Sequence, residues 1–148
     1  NFLRTIDIHH NYAVCEEHFG KKVFVHRKGA TSAKLNEIGI IPGSMGTASY
    51  IVRGLGNPDS FMSCSHGAGR RMSRIAASTN LTVEACDKAM NGIVYERWHK
   101  YKGFGKNKYW LDLSEAPQAY KDIEVVIASE RDLVEPRVRL VPLASLKG

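Results

Sequence analysis

The strongest constraint on the fold lies near the middle of the chain, where one histidine is followed by two glycines and two arginines. The stretch reads Cys64-Ser65-His66-Gly67-Ala68-Gly69-Arg70-Arg71. Glycines lack a Cβ, so the backbone here can bring several N–H donors close to an anion. The apolar residues that follow predict a helix starting near Gly69, with its positive end and two arginines four residues apart facing a phosphate. His66 would lie beside that phosphate, either as a spectator or as the nucleophile.

Two familiar phosphate-binding loops are excluded by this stretch. No Gly-Lys-Ser or Gly-Lys-Thr follows, so it is not a Walker A loop, and the third glycine of a dinucleotide fingerprint is missing. An ordinary Gly-Ala-Gly turn with a hydrogen-bonded histidine remains an alternative.

Length and charge limit the number of domains and the kinds of partner that the chain can have. The 148 residues, 43% of them hydrophobic, are enough for one domain with its own core, spanning residues 1–148. The net charge of +6 suits a polyanionic partner. No apolar run is long enough to cross a membrane and no signal peptide opens the chain, so we expect a soluble, cytoplasmic protein without a membrane partner. Three cysteines without metal-finger spacing favour reduced thiols, and the first residue, Asn1, indicates a piece whose start lies upstream.

The N-terminal segment carries adjacent histidines. Apolar residues at helical spacing predict a helix over residues 4–19, which Gly20 would end. Neighbouring helical side chains point in different directions, so only one of His9 and His10 would face a given metal. Histidines hydrogen-bonded at a helix surface are an equal alternative, and the spacing of the other histidines does not complete a metal site.

The remaining patterns predict an α+β fold, with a mixed, sheet-centred core and flanking helices. Strands are predicted over residues 22–27, 48–53 and 138–143, and helices over residues 82–90 and 120–130. A glycine-punctuated loop, Pro42 to Thr47, precedes the second strand. The hydroxyls of Ser44 and Ser49 suit ligand binding, but Pro-Gly-Ser is also ordinary turn chemistry.

Residues 97–110 have a different composition from the rest of the chain. Lysines and one arginine alternate with tryptophan, tyrosine and phenylalanine. Basic charge with aromatic faces is typical of single-stranded nucleic-acid binding. A glycine-bearing surface loop with solvated lysines explains the same composition.

Taken together, five stretches in this order resemble the RtcB family of RNA-splicing ligases along essentially the whole chain. They are Asp7-Ile8-His9-His10-Asn11-Tyr12-Ala13, His26-Arg27-Lys28-Gly29-Ala30-Thr31, Pro42-Gly43-Ser44-Met45-Gly46-Thr47, Ser65-His66-Gly67-Ala68-Gly69-Arg70 and Leu146-Lys147-Gly148. The resemblance implies an RtcB-like fold and a ligase dependent on GTP and manganese. Such an enzyme joins an RNA 3′-phosphate or 2′,3′-cyclic phosphate to a 5′-hydroxyl in tRNA splicing and RNA repair. The implied partners are RNA, as tRNA halves or broken strands, and the activator archease.

The resemblance also implies roles for individual positions. His66 matches the histidine that attacks the α-phosphate of GTP and becomes guanylylated, and His10 matches a manganese ligand. The positions that match guanylate-binding residues are Asn11, Pro42, Gly43, Ser44, Met45, Ser49, Gly67, Ala68, Gly69, Arg70, Tyr120 and Lys147. Among these, Arg70 corresponds to a phosphate contact, Tyr120 to a guanine contact, and Lys147 to the lysine that closes on the nucleotide.

The resemblance covers only part of the family's sequence. The family's remaining metal ligands, an aspartate, a cysteine and two histidines, come from a segment that precedes His10 and is not in this sequence. The chain therefore resembles the C-terminal part of one RtcB-like catalytic domain, which is incomplete without the upstream segment. Activity is not predicted for the chain alone.

Two other classes of function remain open from the residues. A non-catalytic basic RNA-binding module predicts salt-dependent RNA binding without GTP. A metal-dependent phosphatase or nucleotidyl hydrolase predicts nucleotide turnover without a stable adduct. Only the ligase hypothesis requires a covalent guanylate on His66.

Overall fold

A computed structural model of the chain describes residues 5–96, 98–102 and 109–146, with only the backbone of residue 109. The strands, in chain order, are β1 Asn11–His18, β2 Lys21–Lys28, β3 Ala30–Ser32, β4 Ile38–Ile41, β5 Ser49–Gly54, β6 Ser63–Ser65, β7 Val94–Tyr95, β8 Lys100–Lys102, β9 Tyr109–Leu111, β10 Val134–Leu140 and β11 Ala144–Ser145. The helices are α1 Arg74–Asn80, α2 Val83–Ala89 and α3 Ile123–Ser129, with 3₁₀ turns at Pro58–Ser60 and Pro117–Ala119.

The predicted helix over residues 4–19 is wrong, because the segment forms the first strand of a hairpin. β1 pairs antiparallel with β2, from Asn11 opposite Lys28 to His18 opposite Lys21. Phe19 and Gly20 connect the strands with φ angles of 53° and 71°, the positive values that a tight hairpin turn needs. Gly20 therefore turns a hairpin and does not end a helix. The predicted strand over residues 22–27 is confirmed within β2.

The main core is built on a three-stranded antiparallel sheet in the order β10-β5-β4. Its buried side chains include Ile41, Tyr50, Val52 and Val134, and they share one apolar cluster with residues of α3. The strand predicted over residues 48–53 is confirmed as β5, and the helix predicted over residues 120–130 is confirmed with shorter bounds. The last predicted strand starts earlier than expected, because β10 pairs with β5 from Val134 onward, with a register shift after Pro136.

Two short helices belong to a second apolar cluster. α2 begins after Thr82, whose side chain accepts a hydrogen bond from the Ala85 N–H, and it buries Cys86 against Leu113. This confirms the helix predicted over residues 82–90. The helix expected near Gly69 is wrong in position, because α1 starts at Arg74 after the capping residue Ser73. A serine side chain satisfies N–H groups at the start of a helix, and a glycine cannot.

These elements make an α+β fold, as predicted, but its sheet is less central than expected. The largest sheet in the described part of the chain has three strands, and the other strands form two-stranded ribbons. Of the paired strands described, only β7 and β11 run parallel. No helix within the described ranges is both long and apolar enough to cross a membrane.

Candidate functional site

His66 follows β6 directly and is held by short strands and a distant carboxylate. β6 pairs with β3, which places Ser65 opposite Ala30, and the His66 N–H donates to the Gly29 carbonyl at 3.4 Å. Glu130, at the end of α3, accepts a hydrogen bond from the Ser65 N–H and another from its hydroxyl. A Cβ at Gly29 would lie 3.9 Å from the His66 ring, so the glycine passes close to the imidazole. The backbone on both sides of this histidine is therefore fixed.

The loop after His66 is packed against the loop that starts at Pro42. The Ala68 N–H donates to the Pro42 carbonyl at 2.9 Å, and Ala68 is buried. Gly69 adopts a φ of 71°, and its carbonyl accepts a hydrogen bond from the Lys121 N–H at 2.9 Å. The loop is thus pinned by its own backbone. The expected cradle at a helix N-terminus is not formed, because the Ala68 N–H is already bonded and α1 begins five residues after Gly69.

His10 lies against His66. The two imidazole rings stack with centroids 5.4 Å apart and planes 16° from parallel. The His66 Nδ1 is buried and has no hydrogen-bond partner among the described residues. A buried polar atom without a partner is uncommon in folded proteins and marks a group that a ligand, ion or water can satisfy. Two histidines that the sequence separates by 56 positions are therefore brought together.

The loop between β4 and β5 is shaped by its own hydroxyls. The Ser44 N–H donates to Thr47 Oγ1 at 2.7 Å, and the Ser44 and Thr47 hydroxyls lie 2.9 Å apart. Ser49 Oγ accepts a hydrogen bond from the Gly43 N–H at 3.4 Å. Both serines proposed as ligand contacts therefore hold the loop in place as well.

Arg70 and Tyr120 form a second cluster next to the loop. The Arg70 guanidinium lies 4.9 Å from the centre of the Tyr120 ring and donates to its hydroxyl at 3.1 Å. The same guanidinium donates to Glu115 at 3.3 Å and to the Ser114 carbonyl, while the Tyr120 hydroxyl donates to Glu115. Burial raises the pKa of Tyr120, and the hydrogen bond to Glu115 raises it further, so the hydroxyl keeps its proton. Arg70 would exchange some of these contacts to bind a phosphate.

Cys64 lies two residues before His66 but is unsuited to act as a nucleophile. Its side chain is buried, and burial together with the charge of Glu130 raises the pKa of the thiol to about 12. A thiol in this state is not ionised near neutral pH, and only the thiolate is strongly nucleophilic. All three cysteines are free, as predicted, with Cys15 exposed and Cys86 buried. Of the nucleophilic side chains beside this loop, His66 is the better placed.

A model of the tRNA-splicing ligase RtcB family matches residues 1–148. The chain belongs to the RtcB family. It is 46% identical over 146 residues to RNA-splicing ligase RtcB of Escherichia coli strain K12, covering 99% of this chain and 33% of that protein. RNA-splicing ligase RtcB of Mycobacterium tuberculosis is 38% identical over 164 residues, with 96% of this chain and 36% of that protein covered. The chain therefore spans about a third of the length of these relatives.

The RtcB-family chain does not form a metal centre from its described residues alone. No group of three or more histidine, cysteine, aspartate or glutamate side chains in residues 5–96, 98–102 and 109–146 is arranged to hold an ion. His10 and His66 supply two imidazoles, and imidazole by itself does not select manganese over other transition metals.

The other positions that match guanylate-binding residues of the family lie in different surroundings. Asn11 is exposed at the start of β1, next to His10, and Met45 lines a small cavity together with Glu115. Lys147 lies outside the described residues. Nothing in the sequence singles out Glu115 and Glu130, because neither belongs to a motif. Glu115 contacts Arg70 across 45 positions of sequence, and Glu130 contacts Ser65 across 65.

Proposed function

We propose that the complete protein containing this chain is a GTP- and manganese-dependent RNA ligase that works through a guanylate on His66. The observation that carries the proposal is the buried, unpartnered Nδ1 of an imidazole whose neighbouring backbone is fixed and whose ring stacks on His10. Membership in a family of ligases supports the reaction class. The substrates proposed are RNA ends from tRNA splicing or RNA damage, one with a 3′-phosphate or 2′,3′-cyclic phosphate and the other with a 5′-hydroxyl.

The first step uses His66 as a nucleophile. An unprotonated ring nitrogen attacks the α-phosphorus of GTP, the nitrogen–phosphorus bond forms, and the bond to the bridging oxygen breaks so that pyrophosphate leaves. Several of the residues proposed to hold the nucleotide lie on two loops that pack on each other, Pro42 to Ser49 and Gly67 to Gly69, and the second loop follows His66 directly. A fixed nucleophile and a fixed binding loop reduce the entropy that the reaction must lose.

The second and third steps transfer and release the guanylate. An oxygen of the RNA 3′-phosphate attacks the guanylate phosphorus and the bond to His66 breaks, which regenerates the imidazole. The 5′-hydroxyl of the other RNA then attacks the activated 3′-phosphate, loses its proton, and displaces GMP. A 2′,3′-cyclic phosphate end must first be hydrolysed to the 3′-phosphate.

Manganese, when bound, would neutralise negative charge on the phosphates. Within this chain we assign His10 as one of its ligands, because His10 stacks on the proposed nucleophile. The other ligands are proposed to come from parts of the complete protein that this chain does not contain. Archease as an activator follows only from the family resemblance.

Intact-mass measurement of the complete protein after incubation with GTP and manganese tests the proposal. We expect a covalent guanylate on the wild-type protein and none on His66→Ala. The matched control is His26→Ala, because His26 is an exposed histidine on β2, and this variant should keep the adduct. A guanylate on His66→Ala would refute the assignment, and GTP hydrolysis without any adduct would favour the phosphatase alternative.

A further inference from the structure

The aromatic and basic segment that the ligase chemistry does not use forms one wall of a groove. Tyr101 on β8 and Trp110 on β9 lie directly opposite each other, so their side chains share one face of the hairpin. Their rings stack with centroids 5.0 Å apart and planes 28° from parallel. Tyr101 is 47% and Trp110 is 51% exposed, which leaves much of each ring in contact with solvent.

The other wall of the groove comes from α1. Ile75, which is 81% exposed, and Ser78 face the aromatic pair across a space of about 480 Å³. Asp112 and Arg74 also line this space. We call this space, lined by Arg74, Ile75, Ser78, Tyr101, Trp110 and Asp112, the aromatic groove. Its volume lies within the range of roughly 300 to 1,000 Å³ typical of small-ligand sites.

The aromatic groove joins the cluster beside the proposed nucleophile. Arg74 lies on the groove and approaches Glu115, with 3.6 Å between its Nε and Oε1. Glu115 in turn binds Arg70, which follows the His66 loop directly, and Tyr120, which contacts Arg70. A strand bound in the groove would therefore lie next to the residues proposed to hold the guanylate.

The polar groups of the aromatic groove favour a base over a phosphate. Burial raises the pKa of Asp112, but hydrogen bonds from Ser114 and Ser78 outweigh that effect, so the pKa stays below its usual value and the group is an anion at neutral pH. A carboxylate repels a phosphate and accepts hydrogen bonds from the N–H groups of a base. Aromatic rings bind any base by stacking. Lys100 and Lys102 are exposed on β8, on the face of the hairpin opposite to Tyr101, so they add positive charge to the hairpin but do not line the groove.

We propose that the aromatic groove binds an unpaired base of single-stranded RNA next to the guanylylation site. The proposal extends the ligase function. It rests on that function only in treating the bound RNA as the substrate. The alternative occupant is another part of the complete protein, which would cover the aromatic pair.

The test uses the complete protein without GTP or manganese, so that binding is measured without reaction. The probe is a single-stranded RNA with a 3′-phosphate and 2-aminopurine near that end, whose fluorescence falls when the base stacks. Trp110→Ala should weaken RNA binding by roughly 5- to 100-fold, the range expected for losing one stacked base. Trp110→Phe should recover most of the affinity, because it keeps an aromatic face.

A second variant avoids any change in the packing of the hairpin. Ile75→Glu adds negative charge to an exposed position of the groove and should weaken RNA binding at least tenfold. The matched controls are Leu35→Glu and Phe24→Ala, at exposed positions away from the groove, and both should bind RNA as the wild type does. In a separate assay with GTP and manganese but without RNA, guanylylation of His66 should be unchanged in all of these variants.

The outcomes separate the two proposals. RNA affinity that is unchanged in both Trp110→Ala and Ile75→Glu overturns the groove as an RNA site. The same result with a lower melting temperature for Ile75→Glu but not for Leu35→Glu shows that another part of the protein covers the groove. If the wild type forms no guanylate but the groove variants still lose RNA affinity, the groove stands and the ligase function fails.

Discussion

At the scale of single residues, one buried ion pair connects the first hairpin to the strand that leads to His66. Arg27 is 1% exposed and donates to both carboxylate oxygens of Glu16, at 3.1 and 2.9 Å. It also donates to Ser63 Oγ at the start of β6 and to the Phe61 carbonyl two residues before that strand. The hydrogen bond from Arg27 lowers the pKa of Glu16 to about 2 against the opposing effect of burial, with help from His18 and Lys34.

Glu16→Gln is expected to destabilise the protein in a pH-dependent way. The folded pKa of Glu16 lies below its ordinary value of 4.5, so its stabilising effect is complete above pH 4.5 and is lost as the pH falls toward 2. The free energies of unfolding of the two proteins should therefore differ by about 3 kcal/mol at pH 7, with the difference shrinking below pH 4.5. The measurement is denaturant unfolding between pH 7 and pH 2.

The matched control for this prediction is Glu17→Gln, at the exposed neighbouring position of β1. It should unfold like the wild type across the whole pH range. A difference between Glu16→Gln and wild type that does not change with pH would show that the ion pair is not the cause.

Glu130 is expected to position the nucleophile through Ser65. Both Ser65 groups that contact Glu130 are donors, so a neutral acceptor in place of the carboxylate should suffice. In the complete protein, Glu130→Gln should therefore guanylylate His66 at nearly the wild-type rate, whereas Glu130→Leu should be slower by at least tenfold with GTP affinity little changed. Single-turnover rates at several GTP concentrations separate the two effects. Equal rates for both variants would remove Glu130 from the site.

At the scale of elements, the β4–β5 loop depends on one glycine. A Cβ at Gly43 would lie 2.1 Å from the Ala48 carbonyl oxygen and 2.5 Å from Thr47 Oγ1, which no side chain tolerates. Gly43→Ala must therefore move the loop that carries Ser44 and packs on Ala68. In the complete protein we expect GTP affinity to fall by at least tenfold, measured from the GTP dependence of guanylylation.

Gly20→Ala serves as the control for a glycine substitution in a turn. Gly20 has a φ of 71°, and no neighbouring atom lies within 4 Å of the place that a Cβ would take. Alanine there costs about 1 to 2 kcal/mol of backbone strain and meets no neighbour. The turn lies at the far end of the β1–β2 hairpin from Asn11. GTP affinity should stay unchanged, and a loss equal to that of Gly43→Ala would point to general destabilisation.

Local sequence signals predict some of the elements, and others depend on contacts between distant residues. The N-terminal cap of α2 and the strand β5 were predictable, because Thr82 is a local capping signal and β5 follows a glycine-punctuated loop. β1 was misread as a helix because its inward positions include Glu16 and His18, which conceal the apolar alternation of a strand. Those polar side chains are tolerated inside because Glu16 pairs with Arg27 from the next strand and with His18 and Lys34. The site was predictable as far as its motifs extend, whereas Glu115 and Glu130 reach it only through tertiary contacts.

At the scale of the whole molecule, the chain holds the proposed nucleophile and one proposed metal ligand, His10. It spans about a third of the length of its relatives in Escherichia coli and Mycobacterium tuberculosis, and its described residues form no group of three or more metal-ligating side chains. A metal held by one or two imidazoles is weakly bound and poorly positioned to neutralise phosphate charge. The reaction proposed for the complete protein should therefore need residues from outside this chain.

We expect the 148-residue chain alone to form no guanylate with GTP and manganese, while the complete protein forms one under the same conditions. Intact-mass measurement of both proteins gives the comparison, and circular dichroism of the chain checks that its strands and helices form. The same measurement at increasing manganese concentrations distinguishes two causes. If the chain only binds the metal weakly, excess manganese should restore the guanylate, whereas if the chain lacks required residues, excess manganese should have little effect. A full guanylate on His66 of the isolated chain would show that the two stacked histidines and their pinned loops are sufficient for the first step.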